Sequence, residues 1–293
     1  MKEAIFKDPA LQTQFEEDGF VKLTLFDSET LSKLQSLYST YFPEDVKAFY
    51  SSSYTNELEP KQTMSKDIVE VVNNAFEHYF TNFRLLGAAF LIKGKDTHSE
   101  MPMHQDWTIV DEKKYYAVNV WMPLIDTTEE NGTLELMKGS HNWNHALRAP
   151  TLPMSFVGLE ENIKPSLSIV NAKAGEVVVL NQATIHYSKP NLSNEMRPAI
   201  TAGMVSGKAP LKFYYWDKER AQVEEFEQED DFLLRIENFM EAIYQRPSIG
   251  KSVAFHDYDI PKMSLKELNG YLGKPMDETE RSPSFFQRIF GRS

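Results

Sequence analysis

The sequence predicts a mainly β protein, with a jelly-roll core that has helices added before and after it. Three observations predict this class. Between residues 84 and 206, apolar residues recur in short segments with the period of β-strands. Turn signals such as the Glu-Asn-Gly at 130–132 separate these segments. No alternation of strand and helix patterns occurs, so a parallel α/β sheet is not expected.

Eight segments carry the strand pattern. They are short and separated by turn residues, which is typical of a β-sandwich or barrel of jelly-roll type. The predicted strands cover residues 84–93, 100–106, 115–125, 133–137, 167–170, 176–181, 184–188 and 197–206.

Helices are predicted before these strands. Residues 27–42 place apolar side chains at helical spacing behind Asp27 or Ser28 as the N-cap. Residues 65–83 repeat the pattern behind another serine. The polar stretch 48–64 between them is predicted to be a loop.

Helices are also predicted after the strands. Residues 217–241 hold ten acidic and three basic residues and have one apolar side. This pattern favours an amphipathic helix with a solvated acidic face, and an acidic partner-binding arm is the alternative. Residues 264–273 predict a short helix ended by glycine, and the last twenty residues a tail. We expect one domain over residues 1–293, in three parts: a helical part at 1–83, the β core at 84–206 and a helical extension at 207–293.

Composition narrows the class of protein. The net charge is −12 and the isoelectric point about 5.1, so neither nucleic acid nor an anionic membrane is an expected partner. Cysteine is absent, which excludes disulfides and thiolate metal sites. The N-terminus lacks the apolar run of a signal peptide, and no run approaches the length of a membrane span. A cytoplasmic protein with a small-molecule partner is expected, and its oligomeric state stays open.

The stretch MHQDW, residues 103–107, places a histidine two positions before a carboxylate. Positions i and i+2 of a strand point to one face, so His104 and Asp106 are expected side by side. His186, in a later predicted strand, is the best third ligand. Two histidines and one carboxylate form the facial triad of non-haem Fe(II) sites. The alternatives are a chance pair and a hydrogen-bonded core histidine at position 186.

A second histidine pair, His141 and His145, has the i,i+4 spacing of some zinc sites. The residues between them follow Gly139-Ser140 and lack a stable helical pattern. Zinc is therefore not expected there.

An arginine stands eleven residues after His186, across a predicted turn. Arg197 can thus return beside the histidine. A buried guanidinium needs an anion, and its planar fork binds a carboxylate through two charge-assisted hydrogen bonds. The pattern therefore indicates either an internal acid or an acidic ligand near His186.

These segments together resemble the phytanoyl-CoA dioxygenase family of Fe(II)- and 2-oxoglutarate-dependent oxygenases. Order and spacing agree from about residue 84 to 205, and EDGFVKL at 17–23 is also similar. The matching segments are MHQDW (103–107), NVWMPLID (119–126), TEENGTLELMKGSH (128–141) and IHYSKPNLSNEMRPAI (185–200).

The resemblance implies a double-stranded β-helix, a cupin-like jelly roll, that uses Fe(II), 2-oxoglutarate as co-substrate and O2. It implies that the catalytic metal ligands are His104, Asp106 and His186. Arg197 and Ser188 would then hold the distal carboxylate of 2-oxoglutarate.

The resemblance also places a tryptophan, Trp121, near the co-substrate. Asn119 shares its strand parity, so both side chains are expected to face the barrel interior. A polar residue there suits a ligand site better than a pure core. A core aromatic is the alternative for Trp121.

The implied reaction is hydroxylation of an unactivated C–H bond of a small molecule, with release of succinate and CO2. Asp106 favours hydroxylation, because related halogenases lack this carboxylate. Desaturation or cyclisation in natural-product biosynthesis is one alternative. The others are a non-catalytic cupin-like binding protein, a zinc hydrolase and a nucleic-acid demethylase of the same superfamily, and the acidic net charge disfavours the last.

Substrate contacts are expected from long connections. Residues 139–166 are longer than a plain connector and predict a lid, with 48–64 as a second candidate. Trp107 is expected at the pocket mouth, and His141 and Arg148 are further substrate candidates. For Arg148, as for Lys93, a solvated surface position is the alternative.

Overall fold

The computed structural model describes residues 2–273. The predicted tail over the last twenty residues lies outside the described residues, as does Met1. Within 2–273, no helix combines the length and apolar character that crossing a membrane requires.

Thirteen strands and six α-helices make up the described chain. The helices are α1 (Pro9–Asp18), α2 (Ser28–Tyr41), α3 (Leu58–Tyr79), α4 (Glu160–Ile163), α5 (Phe239–Ala242) and α6 (Leu265–Tyr271). The strands are β1 (Phe20–Thr24), β2 (Phe49–Ser51), β3 (Phe83–Lys93), β4 (Met101–His104), β5 (Ala117–Pro123), β6 (Leu134–Leu136), β7 (Ser168–Val170), β8 (Glu176–Asn181), β9 (His186–Ser188), β10 (Arg197–Ser206), β11 (Leu211–Asp217), β12 (Gln222–Gln228) and β13 (Lys251–Asp257).

Two antiparallel sheets form the jelly-roll core. A six-stranded sheet has the order β1-β8-β5-β10-β3-β2, and a four-stranded sheet has the order β4-β9-β6-β7. One apolar cluster joins them, with Trp121 and Leu180 from the larger sheet and Leu136 and Val170 from the smaller. The mainly β fold class and all eight core strands predicted from the sequence are confirmed, with ends shifted by a few residues.

The N-terminal helices cover the outer face of the larger sheet. Leu34 of α2 and Phe76 of α3 are fully buried in one cluster with Phe90 and Val179 of the strands. Apolar residues at helical spacing provide this face, as expected for helices that pack on a sheet. The helices therefore fix the larger sheet from behind and leave its inner face to the cavity.

The limits of these helices differ in part from the predictions. Helix α2 is confirmed, and the Asp27 side chain caps it by accepting a hydrogen bond from the Thr30 amide at 2.8 Å. Helix α3 begins at Leu58, inside the stretch predicted as a loop, and β2 takes another part of that stretch. Lys61 ties the added turn to the C-terminal region, since its Nζ donates to the Ile236 carbonyl at 2.6 Å. Such a contact, distant in sequence, overrides local composition.

The helix predicted over 217–241 is wrong. Strands β11, β12 and β13 form a three-stranded antiparallel sheet instead, so only the short α5 and the confirmed α6 make the C-terminal extension helical. Glu224 and Glu225 of β12 bond basic side chains on neighbouring segments instead of lying on a solvated helical face. Glu225 pairs with Lys212 at 2.6 Å and with His256 at 2.9 Å.

The best enclosed of these acids provides a stability test. Glu224 is fully buried and accepts hydrogen bonds from Arg246 at 2.8 and 2.6 Å and from Ser252 at 2.6 Å. Glu224→Gln removes the charge from these bonds and is expected to cost about 1–2 kcal/mol at pH 7. Urea unfolding measures this loss.

The same variant has a predicted pH dependence. Hydrogen bonds from Arg246, and then from Ser252, hold the pKa of Glu224 below its usual value. A lowered folded-state pKa stabilises the protein above the unfolded pKa of about 4.3, and this stabilisation is lost as the pH falls through the folded value. The difference between wild type and Glu224→Gln should therefore shrink between pH 7 and pH 3. The exposed Glu161→Gln should show no such difference, and a constant gap for Glu224→Gln would contradict the assignment.

Candidate active site

The smaller sheet brings two histidines together. His104 ends β4, His186 begins β9, and the two are direct antiparallel partners. Their ring centroids are 4.1 Å apart. Strand β4 ends at His104, so Asp106 lies in the following loop rather than in the predicted strand. Its Oδ1 nevertheless lies 3.8 Å from Nε2 of His104 and 4.0 Å from Nε2 of His186.

The three side chains have the donor atoms of a metal site. One ligand atom from each lies within 4.8 Å of the others. Nδ1 of His104 bonds the Pro102 carbonyl at 2.7 Å, and Nδ1 of His186 bonds the Thr184 carbonyl at 2.9 Å. These bonds place the proton on Nδ1 and leave Nε2 free as a ligand. Burial, and then the neighbouring His186, lower the pKa of His104, so its ring is neutral at pH 7.

A hydrogen-bonded chain orients the carboxylate. Nδ2 of Asn119 donates to Oδ2 of Asp106 at 2.7 Å, and Thr201 donates to Oδ1 of Asn119 at 2.7 Å. In the β10–β5 pairing, Thr201 lies opposite Trp121, two positions from Gly203, which is the partner of Asn119. Asn119, predicted as a co-substrate residue, thus holds Asp106. Thr201 was not predicted, because only strand pairing brings it there.

Asn119→Leu is expected to weaken binding of a divalent metal by about 10–100-fold, as loss of a ligand-orienting partner does. The variant leaves Oδ2 of Asp106 without its donor but keeps all three ligands. Competition titration with a chromophoric chelator measures the affinity. Asn162→Leu, at an exposed position of α4, is the control. Unchanged metal affinity in Asn119→Leu would contradict the role of Asn119 in orienting Asp106.

Arg148 has a different place from the one predicted. It is buried, and it bonds both carboxylate oxygens of Glu112. Its Nε donates to the Asp106 carbonyl at 2.7 Å. The guanidinium therefore fixes the backbone of Asp106, and Arg148 does not line the cavity. This correction could not come from spacing, since Glu112 lies 36 residues away.

His141 also lies away from the cavity. Its Nε2 contacts the Glu16 carbonyl at 3.1 Å, in the N-terminal part of the chain. The predicted substrate role is therefore corrected. Among residues 2–273, His104, Asp106 and His186 form the only group of three such side chains close enough to share a metal, so zinc at His141 and His145 stays unsupported.

Arg197 begins β10 and is almost fully buried. Its Nε and Nη1 have no hydrogen-bond partner among the described residues. Burial lowers the pKa of Arg197 to about 9, so the side chain remains a cation at pH 7. The guanidinium carbon lies 5.6 Å from the ring centre of Trp121. Buried donors without acceptors are costly, which indicates a missing anionic partner.

Lys93 pairs with Arg197 across β3 and β10 and is completely buried, not on the surface. Its Nζ donates to the carbonyls of Ser99, Ser188 and Lys189 at 2.5, 3.1 and 2.6 Å. Burial, and then Arg197, lower the pKa of Lys93 to about 6. The three carbonyl acceptors favour the ammonium over the neutral amine, so all three donors are used within the protein and Lys93 secures the backbone that carries Ser188.

A cavity of about 300 Å³ connects these groups. Trp107 also lines it, and so does the 48–64 region through Phe49 and Tyr54. No residue of 139–166 does, so the lid predicted there is wrong. The predicted metal and co-substrate residues all line the cavity: His104, Asp106, Asn119, Trp121, His186, Ser188 and Arg197.

Comparison with known proteins gives one family. The model of the family described as phytanoyl-CoA dioxygenase (PhyH) matches residues 15–199. A phytanoyl-CoA dioxygenase domain-containing protein 1 homolog of Dictyostelium discoideum is 30% identical over 134 residues, which are 43% of this chain and 48% of that protein. An iron/alpha-ketoglutarate-dependent dioxygenase, penM, of Penicillium thymicola is 25% identical over 178 residues, covering 57% of this chain and 51% of that protein.

Solved structures agree on the fold. HygX from Streptomyces hygroscopicus, with nickel and 2-oxoglutarate bound, matches with a TM-score of 0.50 and 19% identity. The match covers 67% of this chain and 86% of that one. The chain spans about half the length of the curated relatives that it matches.

Proposed function

We propose that this chain, which belongs to the phytanoyl-CoA dioxygenase family, is an Fe(II)- and 2-oxoglutarate-dependent dioxygenase that hydroxylates an unactivated C–H bond of a small molecule. One observation carries the proposal. The ligand atoms of His104, Asp106 and His186 and the unpaired donors of Arg197 belong to residues that line a single cavity. A metal site and a carboxylate site in one cavity suit a co-substrate that binds both.

The donor set fits Fe(II). Two neutral imidazoles and one carboxylate are the ligands of non-haem iron oxygenases and leave positions open for co-substrate and oxygen. His104, Asp106 and His186 would hold the iron. The curated relative from Penicillium thymicola carries this iron and co-substrate dependence in its name.

The part of the cavity lined by Arg197 fits the distal carboxylate of 2-oxoglutarate. Arg197 would bind the distal carboxylate through its planar fork, with Ser188 as a further donor. This partner would satisfy the guanidinium nitrogens that lack acceptors in the protein. Trp121 would form a wall beside it, since its ring already lies against the guanidinium.

The protein's own part in catalysis is placement and exclusion of water. Asn119 and Thr201 would fix the rotamer of Asp106, and Arg148 would fix its backbone. Lys93 would hold the strand that carries Ser188. When bound, Fe(II) and 2-oxoglutarate would supply oxygen activation, in which O2, 2-oxoglutarate and the substrate C–H bond give succinate, CO2 and the hydroxylated product. The rate then depends on how well the apolar cavity aligns the C–H bond.

Two further expectations belong to this proposal. The three parts of the chain would act as one domain, because the cavity wall draws residues from each: Tyr54, His104 and Phe239. The cytoplasmic location stays a prediction, and the oligomeric state stays open.

A succinate-release screen over neutral and charged small molecules tests the proposal. The proposed dioxygenase consumes one 2-oxoglutarate for each product that gains one oxygen atom, detected by mass. A product that is two hydrogens lighter than the substrate would show that the reaction is desaturation or cyclisation instead of hydroxylation. Binding of ligands without any iron-dependent succinate release would instead indicate a non-catalytic binding protein.

A further inference from the structure

Three aromatic side chains form one wall of the cavity. Phe239 stacks on Trp107 with ring centroids 5.9 Å apart and planes at 15°, and it lies 5.8 Å from Tyr54. Trp107 follows the metal candidates directly, whereas the other two come from distant parts of the chain. All three line the same cavity as His104 and Arg197.

Phe239 belongs to a C-terminal strap, defined here as residues 232–242. The strap lies beyond the family match, which ends at residue 199. The buried Lys61 anchors it through the Ile236 carbonyl at 2.6 Å. Leu234 approaches β3 so closely that a Cβ built on Gly87 would lie 3.1 Å from its Cδ1. The strap thus replaces the lid predicted at 139–166 and gives the cavity a wall that the family match does not cover.

Charge in the cavity is confined to the groups already assigned. Among the described residues, Arg197 is the only lysine or arginine in the lining, and Asp106 is the only acid. Lys93, beside the cavity, has its donors on three carbonyls. Once iron and 2-oxoglutarate occupy their ligands, no cation of the described lining remains for a second anion. An unpaired carboxylate or phosphate would be strongly disfavoured there.

The lining also holds a neutral polar group with an unpaired atom. Gln182 lines the cavity and is almost fully buried, and its Oε1 has no donor partner within residues 2–273. A side-chain amide can accept from a hydroxyl and donate in return. It offers one hydrogen bond to a ligand without requiring charge.

We infer that the substrate is an uncharged, mainly apolar, ring-containing molecule with a hydroxyl or comparable polar group, held against Tyr54, Trp107 and Phe239 under the C-terminal strap. The inference rests on the proposed function for the place of iron and co-substrate. It excludes substrates whose carboxylate or phosphate group would have to enter the cavity. Apolar rings suit such a wall, because aromatic pairs add stacking to the burial of area.

A fluorescent naphthalene series tests this inference by binding alone. The probes are 2-naphthol, 2-naphthoate and 2-naphthyl phosphate, each titrated into protein loaded with Ni(II) and saturating 2-oxoglutarate. We expect 2-naphthol to bind at least about tenfold more tightly than either anion, because burial of an unpaired charge costs more than that factor. Equal or tighter binding of an anion, or no binding of 2-naphthol, would overturn the inference.

Three variants test where 2-naphthol binds. Phe239→Ala is expected to weaken 2-naphthol binding about threefold to tenfold, the value of one aromatic contact. Tyr54→Ala, on a separate segment, should do the same if Phe239→Ala loosens the strap. Phe255→Ala removes an exposed ring of β13 and should leave binding unchanged. Unchanged binding in both wall variants would contradict the assigned wall.

Omission of 2-oxoglutarate separates the two proposals. The proposed function predicts that 2-naphthoate then binds at Arg197 and that 2-oxoglutarate displaces it. If 2-oxoglutarate neither binds nor displaces 2-naphthoate, the proposed function fails. The weaker binding of 2-naphthol in Phe239→Ala and Tyr54→Ala still decides the inference about the wall, because that result does not depend on whether Arg197 is occupied.

Discussion

Asp106→Ala is expected to lose both Fe(II) binding and turnover, by more than about 100-fold each. Removal of a partner that only orients a ligand costs up to about 100-fold, so loss of the ligand itself should exceed that. His104 and His186 would remain, but two neutral imidazoles lack the charge that balances a divalent ion. Anaerobic titration with Fe(II), followed by a succinate-release assay, measures both losses.

The control removes a carboxylate elsewhere. Asp45 is exposed and pairs only with Lys95 at the surface, so Asp45→Ala should retain iron binding and turnover. Circular dichroism should show the same fold for both variants, since Asp106 is not part of the apolar core. Undiminished iron affinity in Asp106→Ala would contradict the assignment of Asp106 as a metal ligand.

Arg197→Met is expected to have two opposite effects. It should raise the concentration of 2-oxoglutarate required by roughly 30-fold to 4000-fold, which corresponds to the 2–5 kcal/mol lost when one partner of a buried charge pair is removed. It should also stabilise the ligand-free protein by about 1 kcal/mol, because it removes a buried charge that has no acceptor. A titration of 2-oxoglutarate and a thermal melt without ligand measure the two effects.

Two further variants test the role assigned to Arg197. Arg220→Met removes an exposed arginine and should change neither quantity. Arg197→Lys keeps the charge but not the planar fork, so 2-oxoglutarate affinity should fall between wild type and Arg197→Met. An unchanged co-substrate requirement in Arg197→Met would break the assignment, and a destabilised ligand-free protein would indicate a structural role.

The core strands could be predicted because alternation is a local pattern. The C-terminal sheet could not, because its acids have partners far along the chain. Glu225 meets Lys212 and His256 only once β11, β12 and β13 are paired. Without knowledge of these partners, a run of acidic residues indicates a solvated helical face. The helix predicted over 217–241 is wrong for this reason.

The candidate site could also be predicted only in part, because some of its contacts join residues far apart in the sequence. His104, Asp106, His186 and Arg197 follow from motifs, although the argument from strand parity fails for Asp106 because β4 ends two residues before it. Antiparallel pairing of His104 with His186 brings the ligands together instead. Side chains that support them, such as Thr201, have no motif. Their places depend on register.

Arg148 and the strap show why substrate contacts were the least predictable. A charged residue on a long connection was expected to meet a ligand, but Glu112 neutralises it. One wall of the cavity includes residues of the strap at 232–242, most of which fall within the amphipathic helix predicted over 217–241. Both outcomes depend on single tertiary contacts, namely Arg148 with Glu112 and Lys61 with Ile236.

An anaerobic crystal structure with Fe(II) and 2-oxoglutarate tests the central claim most directly. The account predicts one anomalous iron peak bonded to Nε2 of His104, Nε2 of His186 and a carboxylate oxygen of Asp106. It also predicts the distal carboxylate of 2-oxoglutarate on the guanidinium of Arg197. Iron at any other side chains, or a co-substrate carboxylate bound away from Arg197, would contradict it.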